Sequence, residues 1–418
     1  MDKNKLRTLK GFRDFLPKEA RKRQYLKDQF RKNFELYGFE PLETPTLEYE
    51  ELFWGKYGEE ANKLIFKFAD EGDRKVAMRY DQTVPTSRVL AMYQQNLPMP
   101  WRRYQIQNAF RAEKPQKGRF REFTQCDIDI FGTTSPLSDA EALAVGNSLL
   151  INLGFKKFNI LINDRAILFQ LMKSAEIGEK MQLSVIQSID KLDKKSREEV
   201  EEELRQKELS IEMIHKLFDV FDSAKPTKVL QETIDYAKGL GISDNVLKFT
   251  PRLARGLDYY NSIIYEFVIE GYSAGSVAGG GRYDNLIKQL SGVDIPATGY
   301  SWGFDRLLEA MEQFDLFPSD KERTGVLVSI FNKDLTKNSL KVAAILRQNG
   351  IAAEIYPDEN TRLDKQLKFA DKKGIKWLIV IGPDESEKEK VVLKDLETGH
   401  QEDIKLKDLV NKLNDINR

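Results

Sequence analysis

The chain contains one cysteine, Cys126, and two histidines, His215 and His400. A lone cysteine closes no intramolecular disulfide and builds no cysteine-based zinc site. Two histidines in strongly charged stretches argue against a serine or cysteine nucleophile with a histidine base, and against a zinc centre of several imidazoles. Long apolar runs are also missing. Segments such as Trp377-Leu-Ile-Val-Ile381 are only strand length, so no membrane span is expected. The start, Met1-Asp-Lys-Asn-Lys-Leu-Arg7, lacks the apolar stretch of a secretory signal, and a cytoplasmic location is expected. Any chemistry must therefore run on arginine, carboxylates, tyrosine, glutamine and backbone.

What is present is an ordinary globular composition of 418 residues, 41% hydrophobic and 32% charged, a length that suggests roughly two or three domains. The 66 Lys+Arg balance 66 Asp+Glu, but the balance is not uniform. Residues 101–123 carry seven basic side chains (102, 103, 111, 114, 117, 119, 121) against Glu113 and Glu122.

Periodicity predicts a first helix over 17–37, with Pro17 in its first turn, Tyr25, Leu26, Phe30 and Phe34 at helical spacing, and Gly38 ending it. The proline-bearing stretch 39–48 is extended. Strand character at 76–80, 104–110 and 121–131 predicts a hairpin with a long basic loop, and 139–153 a second core helix. Ser184–Leu217 is rich in Glu and Lys without Gly or Pro, and reads as a helical insertion within 163–236. Strand and glycine signals return over 259–281, before an amphipathic helix near 306–314. Beyond the polar linker 319–324, strands and helices alternate, which implies a separate α/β domain over 325–418 with a mostly parallel sheet, a hairpin within 390–406 and a final helix.

Four strings could carry chemistry, and each has a plain structural reading beside the functional one. Arg111, Arg121 and Phe123 on the basic hairpin could clamp a phosphate and stack on a base, or form a solvated hairpin. Arg255-Gly-Leu-Asp-Tyr-Tyr260 offers a fixed cation and paired tyrosines, one for core and one for a pocket, or simply a strand start. The glycines of Gly275-Ser-Val-Ala-Gly-Gly-Gly-Arg-Tyr-Asp284 could let a ligand lie on backbone, or make a turn. They lack the Lys-Ser/Thr ending of a phosphate-binding P-loop. Asp81 and Thr83, alternating on one strand face, could receive an ammonium group, or be a polar strand end.

Together and in this order, these strings resemble the histidyl-tRNA synthetases, a class IIa family of aminoacyl-tRNA synthetases, over essentially the whole chain. Class II motif 1 resembles the helix 18–37 and its extension to Glu48, with Pro45 at the dimer interface. Motif 2 is similar to 101–131, and motif 3 to Thr298-Gly-Tyr-Ser-Trp-Gly-Phe-Asp-Arg-Leu-Leu308. The strings Arg255–Tyr260 and Ala278–Asp284 resemble the two histidine-specific signatures. The resemblance implies an α+β class II core, an antiparallel sheet flanked by helices, over 1–162 and 237–318. A helical insertion that clasps the tRNA acceptor arm and a C-terminal α/β anticodon-binding domain complete it.

It implies that histidine is activated with ATP to histidyl-adenylate and transferred to the 3′ end of tRNA(His), by a homodimer, with Mg2+ accompanying ATP through ligands the sequence does not identify. By the same resemblance Arg111 and Arg255 are catalytic, while Arg111, Arg119, Phe123 and Arg306 hold ATP. Histidine is held by Asp81, Thr83, Gln125, Asp129, Arg255, Tyr259, Tyr260 and Tyr283. Lys114, Gln116 and Lys117 are candidates for the tRNA acceptor end. Asp stands at 81 and 129 where many bacterial relatives have Glu, so those stretches look like the eukaryotic and archaeal version. The alternative is a catalytically inactive regulatory paralogue of ATP phosphoribosyltransferase, which would generally lack the C-terminal domain and erode the signatures.

Overall fold

Pro17 opens helix α1 (Pro17–Leu36), where its missing N–H leaves nothing unpaired, and Leu26, Phe30 and Phe34 lie buried along one face. Gly38, at φ +74°, turns the chain out of it. The structure is a computed structural model that describes residues 6–53, 63–114, 120–193, 195–254, 260–318 and 325–416. The chain divides into two compact units, Met1–Leu316 and Phe317–Arg418. The expected linker 319–324 lies outside the described residues.

After α1 come β1 (Glu40–Pro41), β2 (Leu47–Tyr49), α2 (Glu50–Phe53), β3 (Lys67–Ala69), β4 (Lys75–Met78) and α3 (Thr83–Tyr93). The long hairpin β5 (Trp101–Phe110) and β6 (Glu122–Phe131) leads to α4 (Pro136–Asn152) and β7 (Phe158–Asp164). Helices α5 (Arg165–Ser174), α6 (Glu179–Ile189), α7 (Arg197–Gln206), α8 (Ile211–Asp222) and α9 (Lys228–Gly239) precede β8 (Leu247–Phe249). Then β9 (Ile263–Ile269), β10 (Ala278–Arg282), α10 (Leu286–Ser291), β11 (Ala297–Gly303) and α11 (Phe304–Gln313) complete the first unit.

Eight strands form one sheet in the order β1-β5-β6-β11-β10-β9-β7-β8. Its interior pairings are antiparallel, and the edge strands β1 and β8 pair in parallel. In β6 the period of two decides what each face does. Cys126, Ile128 and Ile130 are buried in apolar core, while Gln125, Asp127 and Asp129 border a cavity. The apolar face is covered by helices: Phe30 of α1 packs edge-on to Trp302 at 5.7 Å, and Trp302 meets Phe267 at 5.3 Å.

Three expectations need correction. Asp81 and Thr83 do not alternate on a strand, because β4 ends at Met78. They stand at a strand-to-helix corner, where Asp81 Oδ1 accepts the Val84 N–H at 3.2 Å and Thr83 begins α3. Over 184–217 the chain forms parts of α6, α7 and α8, because Ser196 and Ser210 each cap a new helix and Glu208 sits at φ 67°. Following them, α9 packs back onto α4.

The triple glycine is mostly a packing device. A Cβ at Gly280 would lie 2.1 Å from the Gly299 carbonyl oxygen, and one at Gly281 2.3 Å from that of Ile263, whereas Gly279 borders a cavity. Gly280→Ala must push β10 from β11, so it should lower the thermal unfolding midpoint by the equivalent of about 1–3 kcal/mol or more. Calorimetry of the purified variant checks this, and an unchanged midpoint would mean that the strands part freely.

The second unit holds β12 (Val326–Val328), α12 (Thr336–Gln348), β13 (Ala353–Ile355), α13 (Leu363–Lys373), β14 (Trp377–Val380), α14 (Pro383–Glu387), β15 (Lys390–Asp395), β16 (Gln401–Lys405) and α15 (Leu409–Ile416). Its sheet order is β13-β12-β14-β15-β16. It is mixed, not mostly parallel, because the hairpin β15–β16 extends the parallel β13-β12-β14 group antiparallel to β14. Val328, Leu346, Ile379, Leu393 and Leu413 build its core.

Candidate active site

Two cavities adjoin on the polar face of the large sheet, one of about 450 Å³ and one of about 110 Å³. Arg111, Gln125, Tyr260 and Ser301 border both, so these four mark the junction.

The larger cavity has Arg111, Phe123 and Arg306 on its walls. Arg111 follows directly on β5, tied to the return strand by its N–H, which donates to the Arg121 carbonyl at 2.9 Å. Its Nε donates to the Tyr80 carbonyl at 3.3 Å, and its guanidinium lies 4.4 Å from the Tyr80 ring centroid and 5.1 Å from that of Phe123. A cation held between two aromatic faces keeps its position and stays open to an anion. Arg306, in the first turn of α11, donates to the Ser276 carbonyl at 3.0 Å. Its neighbour Asp305 is gripped by Arg13 at 3.0 Å and Arg23 at 2.6 Å. That grip ties the segment before α1 to the start of α11.

The smaller cavity is acidic. Asp81, Thr83, Gln125, Asp129, Tyr260 and Tyr283 border it, as does Asp127. Asp129 receives the Tyr283 hydroxyl on Oδ1 and pairs with Arg103 through Oδ2 at 2.5 Å, both partners buried. Burial pushes the Asp129 carboxyl up to about 6, against the pull of Arg103 and the Tyr283 hydrogen bond. Asp127 is pushed up to about 7, by burial first and by the nearby Asp129 and Asp81, while Arg103 and a hydrogen bond from Ser301 pull it down. Tyr283 stays protonated, its hydroxyl raised by burial and by Asp129. Tyr260 packs edge-on to Tyr283 at 6.3 Å, and its carbonyl accepts a hydrogen bond from Arg165. Gly299 forms part of the wall because a Cβ there would lie 2.1 Å from Asp129 Oδ1.

The family models match in the same two parts: a histidyl-tRNA synthetase model covers residues 11–307, and an anticodon-binding domain model covers 325–416. The chain belongs to the histidyl-tRNA synthetase family. It is thus a class II aminoacyl-tRNA synthetase with a C-terminal anticodon-binding domain. It is 38% identical to the histidine–tRNA ligase of Gloeobacter violaceus, covering 96% of this chain and 97% of that one. It is likewise 38% identical to the histidine–tRNA ligase of Rhodopirellula baltica, with 95% of each covered. The histidyl-tRNA synthetase structure from Nostoc sp. PCC 7120 superposes with a TM-score of 0.86 at 31% identity, over 98% of this chain and 99% of that one.

Of the residues the family resemblance singles out, nine stand at these two cavities: Asp81, Thr83, Arg111, Phe123, Gln125, Asp129, Tyr260, Tyr283 and Arg306. Lys114 is exposed and borders neither. Arg119, Gln116, Lys117, Arg255 and Tyr259 lie outside the described residues. The sequence reading missed Arg103, Asp127, Ser301 and Asp305. Asp127 was within reach, since it shares the period-two face of Gln125 and Asp129. Arg103 was not, because its burial depends on the register that sets it opposite Asp129. The signature arginine Arg282 turns to the other face of the sheet, where Asp139 of α4 accepts from its Nη2 at 2.7 Å. Both histidines are exposed.

Proposed function

We infer that the chain activates histidine with ATP, releasing pyrophosphate, and passes histidine from the adenylate to the 3′ end of tRNA(His). The observation that carries this reading is the junction: an acidic cavity of amino-acid size opens beside a larger one walled by Arg111, Phe123 and Arg306. A histidine carboxylate at that junction can attack the α-phosphorus in line. The new C–O–P linkage forms as the bond to the leaving pyrophosphate breaks.

Both reactants are anionic, so the site must neutralise charge and align atoms more than it must move protons. Arg111 lies where the two cavities meet and takes the α-phosphate, Phe123 stacks on adenine, and Arg306 grips ATP from the opposite wall. Arg255 and Arg119 are assigned to the α-phosphate and the outer phosphates by family resemblance alone. Asp81, Thr83 and Gln125 receive the α-amino end. Asp129 accepts from one imidazole N–H while Tyr260 or its neighbour Tyr259 satisfies the other nitrogen, with Tyr283 fixing the Asp129 carboxylate. An analogue without the ring nitrogens leaves these buried groups unpaired, a loss of ~10⁴–10⁵ in the strongest cases.

Mg2+ would be held mainly by the ATP phosphates, with Glu113 at the cavity wall as the protein carboxylate able to join it. Its chemistry there is to neutralise phosphate charge.

For the nucleic acid, Lys114, Gln116 and Lys117 are placed at the acceptor end, helices α5–α9 of the 163–236 region against the acceptor arm, and the second unit on the anticodon. Residues 324–418 carry 17 Lys/Arg against 16 Asp/Glu, which favours selective base contacts over bulk attraction. A homodimer through the α1–Pro45 region and a cytoplasmic location complete the reading. Among the described residues no helix is long and apolar enough to cross a membrane.

The test is ATP–pyrophosphate exchange with a panel of amino acids, then tRNA charging. Exchange is expected with histidine alone, collapsing in Arg255→Ala. Silence with every amino acid, from folded protein, would overturn the reading in favour of a regulatory role.

A further inference from the structure

Asp127 is a third carboxylate in the smaller cavity, one that the family resemblance leaves without a role. It is 5% exposed and borders the cavity, and its Oδ1 has no hydrogen-bond partner among the described residues. Ser301, opposite it on β11, supplies one hydrogen bond. Arg103, the cation that pulls on it, is paired with Asp129. A buried carboxylate oxygen without a donor costs stability that packing does not return, so its presence in a cavity wall points to a donor brought by the ligand.

Position indicates which donor. Gln125, Asp127 and Asp129 follow one another on β6 at steps of roughly 6.6–6.8 Å. Gln125 stands at the junction with the larger cavity, where the reacting carboxylate must lie. Asp129, tied to Tyr283, stands at the far end, where the side chain goes. Asp127 lies between them, level with the middle of the amino acid, and Asp81 is close enough to raise its proton affinity. We propose that Asp127 is a substrate-binding residue that receives the α-ammonium group of the amino acid, paired with Asp81. Two carboxylates facing one ammonium group select a free α-amine over an acylated one, and hold Cα while the carboxylate attacks.

The proposal rests on the histidine-activation reading, and its test separates the two. Two probes are titrated by calorimetry into the wild type and Asp127→Asn. Histidinol carries the ammonium and the imidazole. Imidazole-4-propionate carries the imidazole and the carboxylate but no ammonium. Histidinol should bind the variant roughly 10–100-fold more weakly, the loss of a charge-assisted contact. Imidazole-4-propionate should bind it as well as before or better. In exchange assays the KM for histidine should rise while the KM for ATP stays put.

Equal weakening of both probes would overturn the proposal, placing Asp127 at the ring or in the scaffold. Unchanged histidinol binding would overturn it as well. Asp127→Ser removes the same charge and gives the same contrast should the amide variant not fold. If the wild type itself shows no histidine-dependent exchange and binds neither probe, the activation reading has failed. Normal wild-type behaviour with an indifferent variant condemns only the assignment of Asp127.

Discussion

Arg111→Ala is expected to slow histidine-dependent ATP–pyrophosphate exchange by roughly 10²–10³-fold, the usual loss when a preorganised donor to a developing charge is removed. The expectation follows from where the guanidinium sits. Arg111 borders both cavities, and its Nε donates to the Tyr80 carbonyl, which anchors the guanidinium at the junction. Its contacts with Tyr80 and Phe123 hold it in place without neutralising it. The fold should survive, because the Arg111 backbone bond to Arg121 does not involve the side chain. Arg111→Lys keeps the charge but not the planar fork, and should recover only part of the rate. Rapid-quench measurement of the first turnover separates a loss in chemistry from a loss in binding. A variant with normal single-turnover rates would remove Arg111 from the transition state.

The frame of the site was legible in the sequence because local signals agreed with one another. Pro17, Gly38 and the apolar spacing between them define α1 without reference to the rest of the chain. The polar and apolar alternation of Gln125-Cys-Asp-Ile-Asp-Ile-Phe131 marks a strand with two different faces. Failures came where a tertiary partner decides. Asp81 and Thr83 read as strand because the start of α3, with Pro85 inside its first turn, is announced only weakly; Asp81, three residues before Val84, accepts that residue's N–H. Gly280 read as a ligand shelf or a turn because the carbonyl that crowds it belongs to Gly299, nineteen positions on, which the sequence does not set beside it. Arg103 was one charge among seven until the pairing of β5 with β6 set it against Asp129.

That pair yields the second large effect. Arg103 and Asp129 are each buried, so breaking the pair leaves a charge in a poorly solvating site, at a cost of about 3–5 kcal/mol. Arg103→Met should therefore lower the urea midpoint of the first unit strongly at pH 8. The sign of the pH dependence is determined by Asp129. Its folded proton affinity is already raised, to about 6, and Arg103 is what restrains it. Without Arg103 it rises further, so the folded state holds its proton to higher pH than the unfolded state does. The variant then keeps losing stability above pH 6, where the contribution of Asp129 in the wild type has levelled off. Its deficit should be smaller at pH 5.5 than at pH 8. Histidine binding should follow the same titration. A neutral Asp129 no longer offers a full acceptor to the imidazole N–H, so the ratio of the variant's KM for histidine to that of the wild type should fall as pH rises through the neutral range. The double variant Arg103→Met/Asp129→Asn removes both charges and should regain most of the stability without regaining histidine affinity. Equal midpoints for the single variant and the wild type at pH 8 would show that Asp129 finds another counter-charge, and would end the argument that Arg103 is what keeps it ionised.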